Sequence, residues 1–176
     1  AASGEDVVVR CGGCGYAANL EAAKCQSEVR SPKSEEVPKP MESVKTPGKH
    51  SVKDVSAFLK VAPSQLIKTL LYDAGKDAHV AALVRGDHEV NEAKLARAAG
   101  SPHLKLSSAA TIERLTGAPV GFAGPVTLRG VRLIADRAVM AMVNGVAGAN
   151  EAETHLVHVN PGRDFQPQTV ADVRMV

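Results

Sequence analysis

The chain has 176 residues, 44% of them hydrophobic, with a formal net charge of +2, three Phe, two Tyr and no Trp. That is enough for one core built from Val, Ala and Leu, but too few aromatics to bind single strands by stacking bases, and too little charge to argue for nucleic acid unaided. No apolar run approaches the roughly 20 residues that span a bilayer, and the polar, acidic start Ala1-Ala-Ser-Gly-Glu-Asp6 is unlike a signal peptide, so a soluble cytoplasmic protein with no membrane partner is expected.

Val7 to Arg10 is a β-like run leading into Cys11-Gly-Gly-Cys14, where glycines let two thiolates converge on a metal. Two ligands are half of a structural zinc site. Cys25 is a poor third, because Ala17 to Lys24 between them reads as helical, and the other ligands are expected outside the chain; inert thiols are the alternative. Three cysteines with one such pair fit a reducing compartment better than a disulfide framework. From Gln26 to Met41 the composition turns to Ser, Lys, Glu and Pro, a linker. Residues 1–40 are therefore read as a flanking segment and 41–176 as the domain proper.

Thr46-Pro47-Gly48 reads as a turn, and Ser51-Val-Lys-Asp54 as a capping box ahead of a helix with Val52, Val55, Phe58 and Leu59 on its core face. Pro63 and Ser64 suit a short helical turn, and Thr69 to Tyr72 a strand entering the core, which leaves Lys68 at the junction among Leu66, Ile67, Leu70 and Leu71. Such a lysine is either a snorkelling surface charge or a cation held in a cleft. The strand after Lys68, a turn over Asp73 to Asp77 and a second strand from His79 to Val84 make a hairpin. The polar run Arg85 to Glu92 either faces a cleft or merely solvates a connection, and it continues into a helix through Leu95 and Ala99.

Pro102 to Leu106 is a candidate strand and Ser108 to Leu115 a helix. Gly117 to Pro125 then spends three glycines and two prolines in nine residues, a pattern that presents backbone N–H groups to an oxygen, or a plain structural turn. Val131 to Ala135 reads as a buried strand ending at Asp136, Ala138 to Val143 as a helix, and Asn144 to Asn150 as a small-residue loop. His155 to Asn160 alternates as a strand with His155, Val157 and Val159 on one face. Gly162 to Phe165 is a closing turn and Val170 to Val176 a final strand.

Thr46-Pro47-Gly48, Ile67-Lys68-Thr69-Leu70, Val84 to Glu92, Leu115 to Phe122, Gly124-Pro125, Ile134 to Arg137, Gly148-Ala149-Asn150, His155 and Asn160 to Asp164, in that order, resemble the insertion domain of bacterial-type prolyl-tRNA synthetase, in the YbaK-like deacylase superfamily. The resemblance covers residues 41–176, and Cys14 to Glu21 resembles the synthetase segment that precedes the insertion. It implies an α+β fold, a mixed, curved sheet flanked by helices. It also implies hydrolysis of alanine wrongly esterified to tRNA(Pro), with the remainder of the synthetase chain as partner. No cofactor is implied for that step; ATP and Mg belong to the synthetase core, and zinc would concern only Cys11 and Cys14. By resemblance Lys68 is the central cation, with Gly121 and Pro125 in a G-x-x-x-P element that aims N–H groups at the ester carbonyl. Thr46, Asp136, His155, His88 and Gly124 are implied on the substrate side. A non-catalytic module that holds the tRNA acceptor end and a zinc-dependent module are the rival readings.

Overall fold

The computed structural model describes residues 7–24 and 36–175. The glycine-rich turn folds β1 (Val8–Arg10) back antiparallel on β2 (Ala17–Asn19), with Val9 opposite Ala18. Of the segment expected to be helical, Ala17 to Asn19 are strand residues, because the hairpin pairing outweighs their intrinsic preference, and residues 20–24 turn away from the strand without forming a helix. Cys25 and linker residues 26–35 lie outside the described residues.

After the linker come β3 (Glu42–Lys45), the turn closed by Lys49 N–H on Thr46 O (3.0 Å), and α1 (Val52–Leu59). Ser51 caps α1 by accepting from Asp54 N–H at 3.1 Å. Its hydroxyl donates to the Asp54 carboxylate at 2.6 Å, so Asp54 does not reach back to the Ser51 main chain as a full capping box would. Val52, Val55 and Leu59 pack inward, whereas Phe58, expected on the core face, is 44% exposed. A single 3-10 turn, Pro63–Gln65, feeds β4 (Leu66–Asp73), which pairs antiparallel with β5 (His79–Arg85). Lys68 thus lies inside the strand rather than at its junction.

Asn91 caps α2 (Glu92–Ala99). β6 (Lys105–Leu106) is short, and Ser108 caps α3 (Ala109–Thr116). β7 (Arg132–Asp136) runs into α4 (Arg137–Met140), and the chain closes with β8 (Gly145–Gly148), β9 (Thr154–Val159) and β10 (Thr169–Ala171). The stretch read as a small-residue loop, Asn144 to Asn150, is mostly β8, a strand inside the sheet. Among the described residues, the sheet runs β10-β7-β5-β4-β8-β9-β3, with β6 on the far end of β4. It is mixed: β5–β7, β7–β10 and β4–β8 are parallel, and the other pairs antiparallel.

Register sorts the core onto two faces. Ile67, Leu71, Ala81 and Leu83 pack with Ile112 and Leu115 of α3 and Val139 of α4. Tyr72, Val80, Ala82 and Val84 pack with Leu95 of α2, and Leu66 and Val146 with Val55 of α1. Each fully buried Leu or Ile contributes roughly 1.5–3 kcal/mol. No helix among the described residues is long and apolar enough to cross a membrane.

Candidate active site

The sheet has an opening beside β4. β8 pairs with β4 only at Leu66 and Ile67. β6 joins the same edge further along, where Ser107 N–H donates to Leu71 O at 2.9 Å. Gly86 N–H donates to Leu66 O at 2.7 Å, which fixes the alternation of the β4–β5 ladder. Lys68 and Leu70 therefore turn their main-chain groups to β5, and Thr69 turns its N–H and C=O to the unoccupied edge. A cavity of about 320 Å³ fills this opening, between Val52 and Val55 of α1 on one side and Ile112 and Ala123 on the other, with Thr69 and His155 in its wall. Among the described residues no carboxylate belongs to its lining.

Lys68 also lines the cavity, and its Nζ lies 2.7 Å from Glu89 Oε1. The lysine side chain is only 19% exposed and that of Glu89 75%. The ammonium is therefore held at the mouth by a solvated partner, in a pair worth no more than about 1 kcal/mol, which an incoming anion can displace.

His155 is buried, and its Nδ1 lies 2.7 Å from the Thr46 hydroxyl, itself wholly buried. Thr46 is fixed in turn by its N–H donating to Glu153 O at 2.8 Å. Burial lowers the His155 pKa to about 4, so the imidazole is neutral near pH 7. Its ring lies 5.5 Å from that of Phe122.

The glycine-rich loop closes the remaining side. Gly121 has φ +101°, and a Cβ there would sit 2.5 Å from His50 Cβ. A Cβ on Gly124 would meet Gly148 O, and one on Gly148 would meet Phe122 O and Ala123 O, so loop and β8 touch backbone to backbone. Asn150 clamps this contact. Its Oδ1 accepts from Gly124 N–H at 2.9 Å, and its Nδ2 donates to Gly124 O at 3.0 Å and Val126 O at 2.7 Å. Phe122 N–H is used on Pro119 O at 3.3 Å. Among the described residues no acceptor takes the N–H groups of Gly121 and Ala123, both of which line the cavity.

A cavity lined mainly by apolar side chains, with glycine-rich backbone, a neutral histidine and one positioned lysine in its wall, is suited to an uncharged electrophile attached to an anion. Residues 46–165 match the model of the aminoacyl-tRNA editing domain. The chain belongs to this family. Over its whole length the chain is 51% identical to proline–tRNA ligase of Pelotomaculum thermopropionicum and 46% identical to that of Desulforamulus reducens, covering 31% of each. It thus spans about a third of the length of these relatives. Among solved structures, a hypothetical protein superposes with a TM-score of 0.64 at 26% identity, over 77% of this chain and 91% of that one. A candidate trans-editing enzyme for prolyl tRNA synthetase superposes with a TM-score of 0.65 at 19% identity, over 77% and 87%, a likeness of fold. The α+β class with a mixed sheet, expected from the sequence, is the fold of this editing domain.

Of the residues singled out in the sequence, Lys68, Gly121 and His155 line the cavity of the editing domain, and Thr46 supports it through His155. Gly124 and Pro125 are buried behind the wall, where Gly124 N–H is already used by Asn150 and proline has none to offer. His88 lies in the turn after β5, 4.0 Å from Asp87, and is not part of the lining. Asp136 does not reach the cavity. Its Oδ1 accepts from Ala138 N–H and its Oδ2 from Val173 N–H, both at 2.9 Å, so it caps α4 and ties down the C-terminal segment. Cys11 and Cys14 are exposed in the β1–β2 turn, and the N–H groups of Cys14 and Gly13 hold the Cys11 thiol below its usual pKa. Among the described residues no group of three His, Cys, Asp or Glu converges, so the pair is at most half of a zinc site.

The sequence reading did not single out Thr69, His50, Glu89 or Asn150 individually. Glu89 and Asn150 sat within quoted motifs, but only the fold shows that one meets Lys68 and the other the loop.

Proposed function

We propose that this editing domain hydrolyses the ester of alanyl-tRNA(Pro), as the proofreading part of a proline–tRNA ligase whose remainder supplies tRNA recognition and uses ATP and Mg. A pocket that holds proline cannot strongly reject a smaller apolar side chain, so a second, smaller sieve is needed downstream. The observation that carries the reading is the cavity itself. Its volume of about 320 Å³ lies at the lower end of the roughly 300–1,000 Å³ of small-molecule pockets, and two of its lining residues, Gly121 and Ala123, carry N–H groups that no acceptor among the described residues takes.

In this reading Lys68 meets the phosphate or ribose end of the acceptor terminus, exchanging Glu89 for the substrate. The Gly121 and Ala123 N–H groups receive the charge that develops on the carbonyl oxygen. A water attacks the carbonyl carbon, the acyl C–O bond to the terminal ribose breaks, and the ribose oxygen takes a proton, releasing alanine and intact tRNA. Among the described residues no Ser-His-Asp set assembles at the cavity: His155 is bonded to Thr46, and Asp136 is elsewhere. The substrate's own ribose hydroxyl is then the nearest group to orient the water, and no step uses a metal or other cofactor. The domain would work on cytoplasmic tRNA.

The test is release of alanine from alanyl-tRNA(Pro) by the chain in the presence of a chelator, with prolyl-tRNA(Pro) as the control. Release from the alanyl ester alone, unaffected by chelation, is expected. Binding without release would mean a holding module, and loss on chelation a zinc-dependent one.

A further inference from the structure

Of the β4 residues whose main chain faces away from β5, Ile67 is paired with β8, Asp73 with β6 and Leu71 O with Ser107 N–H, which leaves Thr69 with no strand of the described residues beside it. Its side chain adds to the oddity, because Oγ1 is buried and has no hydrogen-bond partner among the described residues. Leaving a buried hydroxyl unpaired opposes folding, so an orphan in a cavity wall marks where a ligand's polar group belongs. Both the hydroxyl oxygen and the outward-facing carbonyl are acceptors.

An aminoacyl ester carries an α-ammonium, which donates three hydrogen bonds, and among the described residues no carboxylate lines the cavity to receive it. Lys68 and Thr69 are consecutive in a strand, so their side chains point to opposite faces. The cation thus serves the end of the substrate that bears phosphate, and the acceptor pair the other.

We infer that Thr69, through its hydroxyl and its main-chain carbonyl, receives the α-ammonium of the aminoacyl group. The inference rests on the editing reading for the identity of the ligand, but the orphaned hydroxyl and open edge do not depend on it. Thr69 is thereby a specificity residue: it distinguishes an aminoacyl ester from other small acyl esters, while the cavity's size selects among side chains.

The experiment compares the parent chain, T69V and T69S on alanyl-tRNA(Pro) and on propionyl-tRNA(Pro), which lacks only the α-ammonium. Binding of 3′-alanylamino- and 3′-propionylamino-adenosine is measured alongside by calorimetry. Valine keeps the β-branched shape and deletes the orphan, so T69V should unfold at the same urea concentration as the parent or higher. T69V is expected to lose about tenfold in kcat/KM on the alanyl ester and in affinity for the alanylamino analogue, with the propionyl pair changed by less than about twofold. T69S restores the alanyl values. Equal losses on both members of each pair, or no loss, overturn the inference. If the parent hydrolyses neither ester yet binds the alanylamino analogue in a Thr69-dependent way, the editing reading fails and the Thr69 assignment stands.

Discussion

Replacing Asn150 with Ala should loosen the wall of the cavity without touching the cavity. The side chain makes three bonds, at 2.7 to 3.0 Å, to Gly124 and Val126. At about 1 kcal/mol each, and with partial burial leaving some of the freed groups dry, the expected loss is about 3 kcal/mol. A domain of this size holds about 5–15 kcal/mol, so Asn150→Ala stays folded, with a Tm lower by about 6–12 °C. Activity should fall further than stability explains, because the Gly121 and Ala123 N–H groups ride on the released loop. Asn150→Asp sharpens the test. A carboxylate there faces Gly124 O and Val126 O, so its folded-state pKa is raised above the unfolded value. The stability it retains is then present at low pH and lost as pH rises through the folded pKa. Urea unfolding with linear extrapolation at several pH values, run with a deacylation assay, measures both. If Asn150→Ala stays within about 0.5 kcal/mol of the parent and deacylates normally, backbone contact at the glycines holds the loop and the clamp argument is wrong.

Lys68→Ala should abolish deacylation while leaving urea stability within about 1 kcal/mol, since the ion pair it breaks has a solvated partner; equal rates would remove Lys68 from the chemistry. Gly121→Val should also cripple turnover, because a side chain at φ +101° is strained and collides with His50; unchanged kinetics would make the loop purely structural. His155 has a folded pKa of about 4 against 6.5 unfolded, so its contribution is present above pH 6.5 and is lost as pH falls through 4, a total of about 3 kcal/mol. Urea titrations of parent and His155→Gln should differ in slope only in that window, and parallel curves would show that the histidine is not desolvated.

What was readable in the chain were features whose cause is local. The cap at Ser51, the β4–β5 hairpin and the glycine-rich loop all follow from residues within a few positions of one another. β8 was not readable, because Gly145 to Gly148 has small residues for a tertiary reason: Gly148 must admit the backbone of Phe122 and Ala123. Asp136 was misplaced by a similar limit. A carboxylate at a strand end can face a cleft or cap the next helix, and only the position of Val173 shows that both oxygens are already used. The orphaned edge at Thr69 depends on where two other strands stop, which no pattern within β4 records.

Three of the polar groups assigned to the cavity belong to the peptide backbone, and this decides how mutational surveys will see them. Side-chain truncation cannot delete the N–H groups of Gly121 and Ala123 or the carbonyl of Thr69. A saturation scan would therefore miss those groups and would be loud not only at Lys68 and Gly121 but also at positions that hold the loop and β8 together: Gly124, Gly148 and Asn150. Backbone chemistry reaches what side-chain replacement cannot. A semisynthetic chain with an ester in place of the amide at Ala123 would lose one donor and keep every side chain, and its rate would report that donor directly.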